Sequence, residues 1–243
     1  MSISFEQIIT ITGWKPILNF KNKYDVDEDT TIELKGLFRS AGNQKSKMYF
    51  GLHCYKEDGT DIVAQYVYRK DESLLITSKS TDGKSFTLEK KPETWNNSND
   101  SYSEKNYKVI GIYFDGNINR LPDYLINTPA YDKYIDNNIV LNKEIPKEIN
   151  DKIIPFKTRV MNHYDSSTYD YSAACYVEVP EKWTKYKAVY NGFSKGYGDI
   201  IGKFRLGTKK VSPLILPNYQ QNNDAILEIR NVEIIVKDKL RIA

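Results

Sequence analysis

Tyrosines and short polar side chains alternate between residues 164 and 171, where Tyr164, Tyr169 and Tyr171 accompany the carboxylates Asp165 and Asp170. Aromatic rings pack against the C–H face of a sugar, and carboxylates and hydroxyls bind its hydroxyl groups. This mixture, at the junction of two predicted strands, indicates a ligand-binding loop. The alternative interpretation is a structural corner in which the tyrosine hydroxyls donate hydrogen bonds to the backbone.

The polar stretch 92–106 carries Trp95 and Tyr102 among Asn, Ser and Asp residues. Binding residues concentrate on loops that a rigid sheet holds in place, and these two rings have no apolar neighbours in sequence with which to form a core. The alternative for Trp95 is that its ring folds back over the edge of the core. The predicted ligand-binding residues are therefore Trp95, Tyr102, Tyr164, Asp165, Tyr169, Asp170 and Tyr171.

Sequence signatures of catalysis are scarce. The chain has no GxSxG, P-loop, GxGxxG or HExxH motif, and its two histidines, His53 and His163, are too few to build an imidazole-based metal site. Asp165 and Asp170 are candidates for glycoside hydrolysis, which needs two carboxylates at a defined separation across a cleft. The sequence predicts a protein that is not an enzyme and has no cofactor, although its carboxylate-rich loops permit a calcium ion without requiring one.

Length, charge and cysteine content restrict the class of protein. The 243 residues suffice for one sizeable core, and 35 basic against 32 acidic residues give a net charge of +3, too small and too dispersed for a nucleic-acid-binding protein. Cys54 and Cys175 stand in apolar stretches, which favours free thiols over a disulfide. No apolar run approaches the length of a membrane span, and the N-terminus lacks a signal-peptide pattern, so we expect a soluble chain without membrane insertion.

Asp-Gly pairs separate several of the predicted strands, at 58–59, 82–83 and 115–116. Tight hairpin turns need positive φ at their central residues, which glycine adopts without a Cβ clash. Alternating apolar residues flank these turns, as in the stretch 49–55, where Phe50, Leu52 and Cys54 share one side. With scarce helical patterns, this predicts an all-β fold made of two antiparallel sheets packed as a jelly-roll-like β-sandwich.

The last predicted strand, 225–236, changes its parity. Leu227 and Ile229 fall on odd positions, whereas Val232 and Ile234 fall on even ones. Since side chains alternate strictly along a regular strand, one face can hold both groups only if an extra residue is inserted between them. The pattern predicts a β-bulge near residues 230–231.

Five segments in order resemble the carbohydrate-binding-module-like jelly-roll domains of bacteriophage tail-fibre, spike and other virion appendage proteins. They read "MYFGLHCYKEDGTDI", "YKVIGIYFDGN", "RVMNHYDSSTYDYSAA", "EKWTKYKAVYNG" and "KFRLGTKKVSPLILPNYQQNNDAILEIRNVEI". The resemblance extends over roughly residues 30–236. The stretch 122–155 does not align with the family pattern, which indicates an insertion or extra edge strands there, and the N-terminal 1–25 also falls outside it.

The resemblance implies a virion structural or appendage protein with a lectin-like fold that binds glycans of the bacterial surface, in a receptor-binding or adhesin role. Its implied partners are other virion proteins, further copies of itself and bacterial surface polysaccharide, and its implied location is the phage particle. The domains expected on this basis are an N-terminal arm at 1–25, suited to attachment by strand addition, and a jelly-roll sandwich at 26–243. No catalytic motif carries over from the family.

Two other functions stay open. The first is a purely structural head, collar or tail decoration protein that uses the sandwich as a building block and has no ligand. The second is a glycan depolymerase, for which Asp165 would be the residue to test.

Overall fold

The computed structural model describes residues 8–63, 66, 69–98, 108–127, 129–164, 174–194 and 201–237. Within these ranges the chain forms antiparallel strands and very little helix, with α1 at Lys147–Asn150. The strands in chain order are β1 (Ile9–Thr12), β2 (Leu18–Asn19), β3 (Tyr24–Asp25), β4 (Thr31–Ser40), β5 (Lys47–Tyr55), β6 (Arg69–Lys79), β7 (Ser85–Leu88), β8 (Val109–Tyr113), β9 (Tyr124–Ile126), β10 (Tyr134–Ile135), β11 (Asn138–Val140), β12 (Arg159–His163), β13 (Ala174–Glu178), β14 (Thr184–Asn191), β15 (Lys210–Leu216) and β16 (Ile226–Lys237). The predicted all-β class is confirmed.

Contacts divide the chain into two compact units. Among the described residues, the first unit contains 8–62, 174–194 and 201–237, and the second contains 63–164. The predicted insertion around 122–155 lies within the second unit. The predicted arm 1–25 contributes the short strands β1, β2 and β3 to the first unit.

Two antiparallel sheets form the first unit. Sheet A has the order β1-β16-β4-β14, and sheet B has the order β13-β5-β15-β2, with β3 also paired to β15. Phe38 of β4 and Phe50 of β5 meet between them, with ring centroids 4.8 Å apart and planes at 67°. Such edge-to-face pairs add to the free energy gained by burying the rings. The first unit is therefore the predicted antiparallel β-sandwich.

The second unit has one sheet, sheet C, with the order β10-β11-β7-β6-β12-β8-β9. Side chains from both ends of this order, Tyr134 of β10 and Ile126 of β9, belong to one apolar core. Its buried members are Leu74, Ile76, Phe86, Leu88, Trp95, Ile110, Ile112, Ile126, Ala130, Tyr131, Tyr134, Ile139, Leu141, Ile145, Ile153 and Val160.

The Asp-Gly turns occur where the sequence predicts them. Gly59, Gly83 and Gly116 have φ values of +80°, +69° and +77°. The turn at 82–83 joins β6 to β7 as a hairpin. After Gly59, however, the described residues show a single bridge between Tyr55 and Asp61 rather than a return strand. In sheet B, β5 pairs instead with β13 and β15 on its two sides.

The predicted bulge in the last strand is confirmed. The pairing of β16 with β4 shifts between Arg230 and Glu233, and Asn231 adopts φ +52°. The extra residue keeps Leu227, Ile229 and Ile234 on the buried face, where each is at most 2% exposed. The bulge interrupts the pairing of β16 with β4 locally, and it thereby keeps the apolar residues before and after it on the buried face.

Replacement of Asn231 separates the effect of backbone conformation from that of side-chain contacts. We expect Asn231→Gly to leave stability nearly unchanged, because glycine adopts positive φ freely, and Asn231→Val to cost about 1–2 kcal/mol, the usual penalty for a left-handed residue with a Cβ. Urea unfolding of both variants measures the difference. Equal midpoints for the two would contradict a left-handed residue at this position.

Glu33 on the outer face of sheet A is surrounded by three lysines. Lys35 contacts its carboxylate, Lys187 Nζ lies 3.0 Å from Oε2, and Lys237 Nζ lies 3.3 Å from the same oxygen. The hydrogen bond from Lys35, followed by those from Lys187 and Lys237, lowers the pKa of Glu33 from 4.5 to about 2. The carboxylate is therefore more acidic in the folded chain than in the unfolded one.

This depressed pKa sets the sign of a pH effect. Glu33 stabilises the fold above its unfolded pKa of 4.5, and this contribution disappears as the pH falls towards about 2. We expect the stability difference between wild type and Glu33→Gln to be constant above pH ~5 and to vanish between pH ~4.5 and ~2. Urea midpoints measured across this range check it. Glu181→Gln, at an exposed position, is the control and should show no such convergence with wild type.

Candidate functional site

The structure describes two of the seven predicted ligand-binding residues. Tyr164 follows β12 and is half-buried. Tyr102, Asp165, Tyr169, Asp170 and Tyr171 lie outside the described residues, so their binding role stays a prediction.

Trp95 belongs to the core of the second unit. Its side chain is 4% exposed, its ring centroid lies 6.4 Å from that of Tyr131, and its Nε1–H donates to the carbonyl oxygen of Glu72 at 3.3 Å. This is the alternative in which the ring folds back onto the core. In this position the ring offers almost no surface to a ligand.

Four other aromatic residues form a cluster at the surface of the first unit: Trp14, Tyr49, Tyr176 and Tyr219. Tyr219 is central, with ring centroids 5.8 Å from Trp14, 5.2 Å from Tyr49 and 6.3 Å from Tyr176, and Tyr49 and Tyr176 are 5.2 Å apart. Trp14 is 54% exposed and Tyr176 is 50% exposed. We call these four residues the aromatic cluster, and it is the candidate site.

Sheet B positions two of the rings. Tyr49 of β5 and Tyr176 of β13 are directly opposite in the antiparallel register. Phe50, the next residue on β5, is 3% exposed and packs inward against Phe38. Because side chains alternate along a strand, burial of Phe50 turns Tyr49 to the outer face. Packing of the core therefore fixes the direction of this cross-strand pair.

The turn after β15 positions the other two rings. The backbone N–H of Tyr219 donates to Lys47 O at 2.8 Å, and that of Trp14 donates to Gln221 O at 3.1 Å. The Gln221 side chain continues the link, since its Oε1 accepts from Lys47 N at 2.6 Å and its Nε2 donates to Lys45 O. Hydrogen bonds thus join Tyr219 and Gln221 to the start of β5, and Trp14 to Gln221.

The buried side chain of Asn218 stabilises the same turn. It is fully buried at φ +47°, and its Nδ2 donates to the carbonyl oxygens of Ile11 and Gly13 at 3.0 Å each and to that of Ala225 at 3.2 Å. It directly precedes Tyr219, and one of its acceptors, Gly13, directly precedes Trp14. A single amide therefore ties the two chain segments that carry these rings.

Polar groups border the cluster. Lys45 Nζ lies 3.3 Å from Glu178 Oε1, two residues along β13 from Tyr176, and Gln220 Nε2 donates to the Tyr219 hydroxyl at 3.2 Å. Ring planes meet at 76–86° for the three pairs that include Tyr219. The surface therefore combines apolar ring faces with hydrogen-bonding groups at its margin, which suits a ligand with both C–H faces and hydroxyls.

Both histidines are buried. His163 is fully buried and its Nε2 is 3.1 Å from the Tyr113 hydroxyl, which also accepts from Arg69 Nη1 at 2.8 Å. A Cβ at Gly111 would lie 2.4 Å from the same His163 nitrogen, so only glycine leaves room for the ring. His53 is 7% exposed and stands 3.2 Å from Asp61 Oδ1.

At the Asp-Gly turn 115–116, an arginine neutralises the negative charge of the acidic side chains. Arg120 donates to Asp115 Oδ1 at 2.9 Å and to both carboxylate oxygens of Asp123 at 2.7 Å. Hydrogen bonding from Arg120 lowers the pKa of Asp115. A guanidinium therefore already supplies the positive charge there. Among the described residues, no group of three or more His, Cys, Asp or Glu side chains could hold a metal ion.

Part of the aromatic cluster is visible in the sequence. Tyr49 falls on the outward parity of its strand, opposite to Phe50 and Leu52, and Tyr176 falls between Cys175 and Val177. Outward aromatic residues on strands are a signal of recognition that the loop-based prediction missed. Trp14 and Tyr219 give no such signal, because only the fold brings them together.

Comparisons with known proteins do not assign the chain to a family. No protein-family model matches it, and no curated protein sequence matches it. Two structures of infectious bursal disease virus are similar to it, one of the Gx strain (9% identity, TM-score 0.22, covering 98% of this chain and 40% of that chain) and one of the Gt strain (10% identity, TM-score 0.20, covering 100% and 41%). The chain thus spans about two-fifths of those solved chains, and similarity at this level carries no argument about function.

No helix in the described ranges is long and apolar enough to cross a membrane.

Variants of Asn218 test how the aromatic cluster is held. We expect Asn218→Ala to lower the free energy of unfolding by about 2–4 kcal/mol, because the carbonyls of Ile11 and Gly13 lose this donor and alanine is strained at positive φ. The carbonyl of Ala225 keeps the hydrogen bond from Gly13 N–H. Asn218→Gly should recover about 1 kcal/mol by removing the strain alone. Urea midpoints measure stability, and near-ultraviolet circular dichroism reports the order of the rings. Wild-type values for both variants would show that this amide does not hold the turn.

Proposed function

We propose that this chain is a glycan-binding β-sandwich protein of a virus particle, with the aromatic cluster as its contact surface. The virion setting, with bacterial surface polysaccharide as ligand and further copies of the chain as partners, follows from the sequence resemblance to phage appendage domains. The cluster supplies a place for such a ligand.

The observation that carries this proposal is the exposure of Trp14 and Tyr176 on a rigid strand-and-turn support. Their side chains are 54% and 50% exposed although each contacts neighbouring rings. Grouped apolar surface that stays open to solvent is typical of interaction sites. Ring faces bind the C–H side of sugars, and the amide and charged groups of Gln220, Lys45 and Glu178 are near enough to the rings to meet sugar hydroxyls.

Preorganisation supports the same conclusion. The hydrogen bonds from Trp14, Tyr219 and Asn218 fix the backbone under the rings, so little conformational freedom remains to be lost when a ligand binds. A site of a few rings gives weak binding to one glycan. Multiple copies on a particle would raise the avidity without any new contact.

One alternative function rests on the same surface. Trp and Tyr are enriched in protein–protein interfaces, so the aromatic cluster could pack against another subunit of a purely structural assembly. The depolymerase alternative depends on Asp165 and Asp170, which lie outside the described residues, and so gains no support from the geometry.

Glycan-array binding of the purified chain tests the proposal. We expect bacterial polysaccharide fragments to bind, and the double variant Trp14→Ala with Tyr176→Ala to weaken binding at least about fivefold, since each ring contact contributes about 0.5–1.5 kcal/mol. Tyr176→Phe keeps the ring and should stay within about threefold of wild type. Phe156→Ala, which removes a 73% exposed ring from the second unit, is the control and should have no effect.

The outcomes separate the alternatives. Loss of the signal in a Tyr169→Ala variant, with the cluster variants unchanged, would move the site to the segment 164–171. An array without any glycan signal, together with self-association that the cluster variants abolish in light scattering, would establish the cluster as a subunit interface. Release of reducing ends, abolished by Asp165→Asn, would show a depolymerase.

A further inference from the structure

The outer face of sheet A is rich in charged side chains. Outward positions on β4, β14 and β16 alternate with the buried ones in the antiparallel register. The basic residues at these positions are Lys35, Arg39, Lys185, Lys187, Arg230 and Lys237, and the acidic ones are Glu33, Glu228 and Glu233. We call this set the basic face, and it carries an excess of positive charge.

Internal ion pairs leave part of that charge uncompensated. Glu33 contacts three lysines, so its single negative charge neutralises one of them. Arg39 pairs with Glu228. Neither Arg230 nor Lys185 forms an ion pair or hydrogen bond with any residue that the structure describes. The excess therefore lies in the middle and along the β14 edge of the face, where Lys185 and Lys187 are exposed.

Trp183 holds two guanidinium groups on this face. The Cζ atom of Arg230 lies 4.2 Å from its ring centroid, and that of Arg39 lies 5.0 Å from it. Stacking on an indole restrains a guanidinium while its N–H groups remain donors. Arg39 directs part of its donors at Glu228, whereas Arg230 has stacking alone. Arg230 is thus a positioned cation with no anionic partner among the residues that the structure describes.

We propose that the basic face binds an anionic polysaccharide that bears carboxylates on its sugars. Guanidinium and ammonium groups pair with carboxylates, and the opposite sign of charge draws such a polymer to the surface. The proposal does not depend on the aromatic cluster, whose strand residues Tyr49 and Tyr176 lie on sheet B, the other layer of the same sandwich.

The spacing of charge favours a polysaccharide over a nucleic acid. Outward side chains are about 4.8 Å apart between strands and about 6.8 Å apart along one strand, and the acidic residues Glu33, Glu228 and Glu233 stand among the bases. Double-stranded DNA carries one charge per about 1.7 Å, so it would bring phosphates against these carboxylates. A polymer with at most one charge per sugar suits the wider spacing.

Retention on alginate, a polymer of uronic acids, tests the proposal. We expect the intact chain to bind alginate and not neutral dextran at about 20 mM salt, with affinity falling at least about fivefold towards about 200 mM because the pairs are screened. Arg230→Gln with Lys185→Gln should weaken alginate binding at least about fivefold at low salt. Lys91→Gln with Lys133→Gln removes the same charge from exposed sites in the second unit and should change it less than about twofold.

Several results would overturn the proposal. The first is that the wild-type chain does not bind alginate at low salt. The second is an equal loss of binding in both double variants, which would indicate an effect of net charge alone. The third is tighter binding of a DNA duplex with the same dependence on Arg230. Circular dichroism confirms that the variants fold. Lys185→Gln with Lys187→Gln, at exposed positions of an edge strand, repeats the test if Arg230→Gln does not fold. Loss of neutral-glycan binding in the Trp14 and Tyr176 variants, with alginate binding intact, separates this surface from the aromatic cluster.

Discussion

Alternation of side chains along β4 and β5 connects the core of the first unit to both of its outer surfaces. Phe38 and Phe50 meet inside the sandwich at 4.8 Å, and their burial determines which way every neighbouring residue on the two strands points. Arg39 and Lys35 consequently lie on the outside of sheet A, and Tyr49 lies on the outside of sheet B. A shift of either strand by one residue would bury these side chains and expose the core.

Local sequence was sufficient to predict elements whose determinants are neighbours in the chain. The turns at Gly59, Gly83 and Gly116 follow from the backbone freedom of glycine. The bulge at Asn231 follows from a change of parity within one strand. By contrast, the described residues show no return strand after Gly59. The partners of β5 are β13 and β15, which lie far away in the sequence, so neighbouring residues could not predict this pairing.

The candidate site was predictable only in part, for the same reason. Tyr49 and Tyr176 could be recognised as outward residues of strands, but their meeting depends on the pairing of β5 with β13. Trp14 and Tyr219 come together through hydrogen bonds of Asn218 and Gln221. The bond between Asn218 and Ile11 connects residues that are 207 positions apart in the sequence. Conversely, Trp95 stands in a polar sequence yet is 4% exposed, because Tyr131 and other residues of the second unit provide the core that its own neighbours lack.

The two outer surfaces of the sandwich differ in the interaction that they favour, and this difference has a physical consequence for a polymer ligand. Contacts with the rings of Trp14 and Tyr176 depend on removal of apolar area from water and are little affected by salt. Contacts with Arg230 and Lys185 are electrostatic and are screened within about 10 Å at 0.1 M ionic strength. A uronic-acid polymer would therefore be drawn to the basic face over longer distances, whereas a neutral glycan would be held at the aromatic cluster by short-range apolar contact. Because the two surfaces form opposite sides of one sandwich, different polymer chains can occupy them at once, and the sandwich would then link the chains rather than wrap one of them.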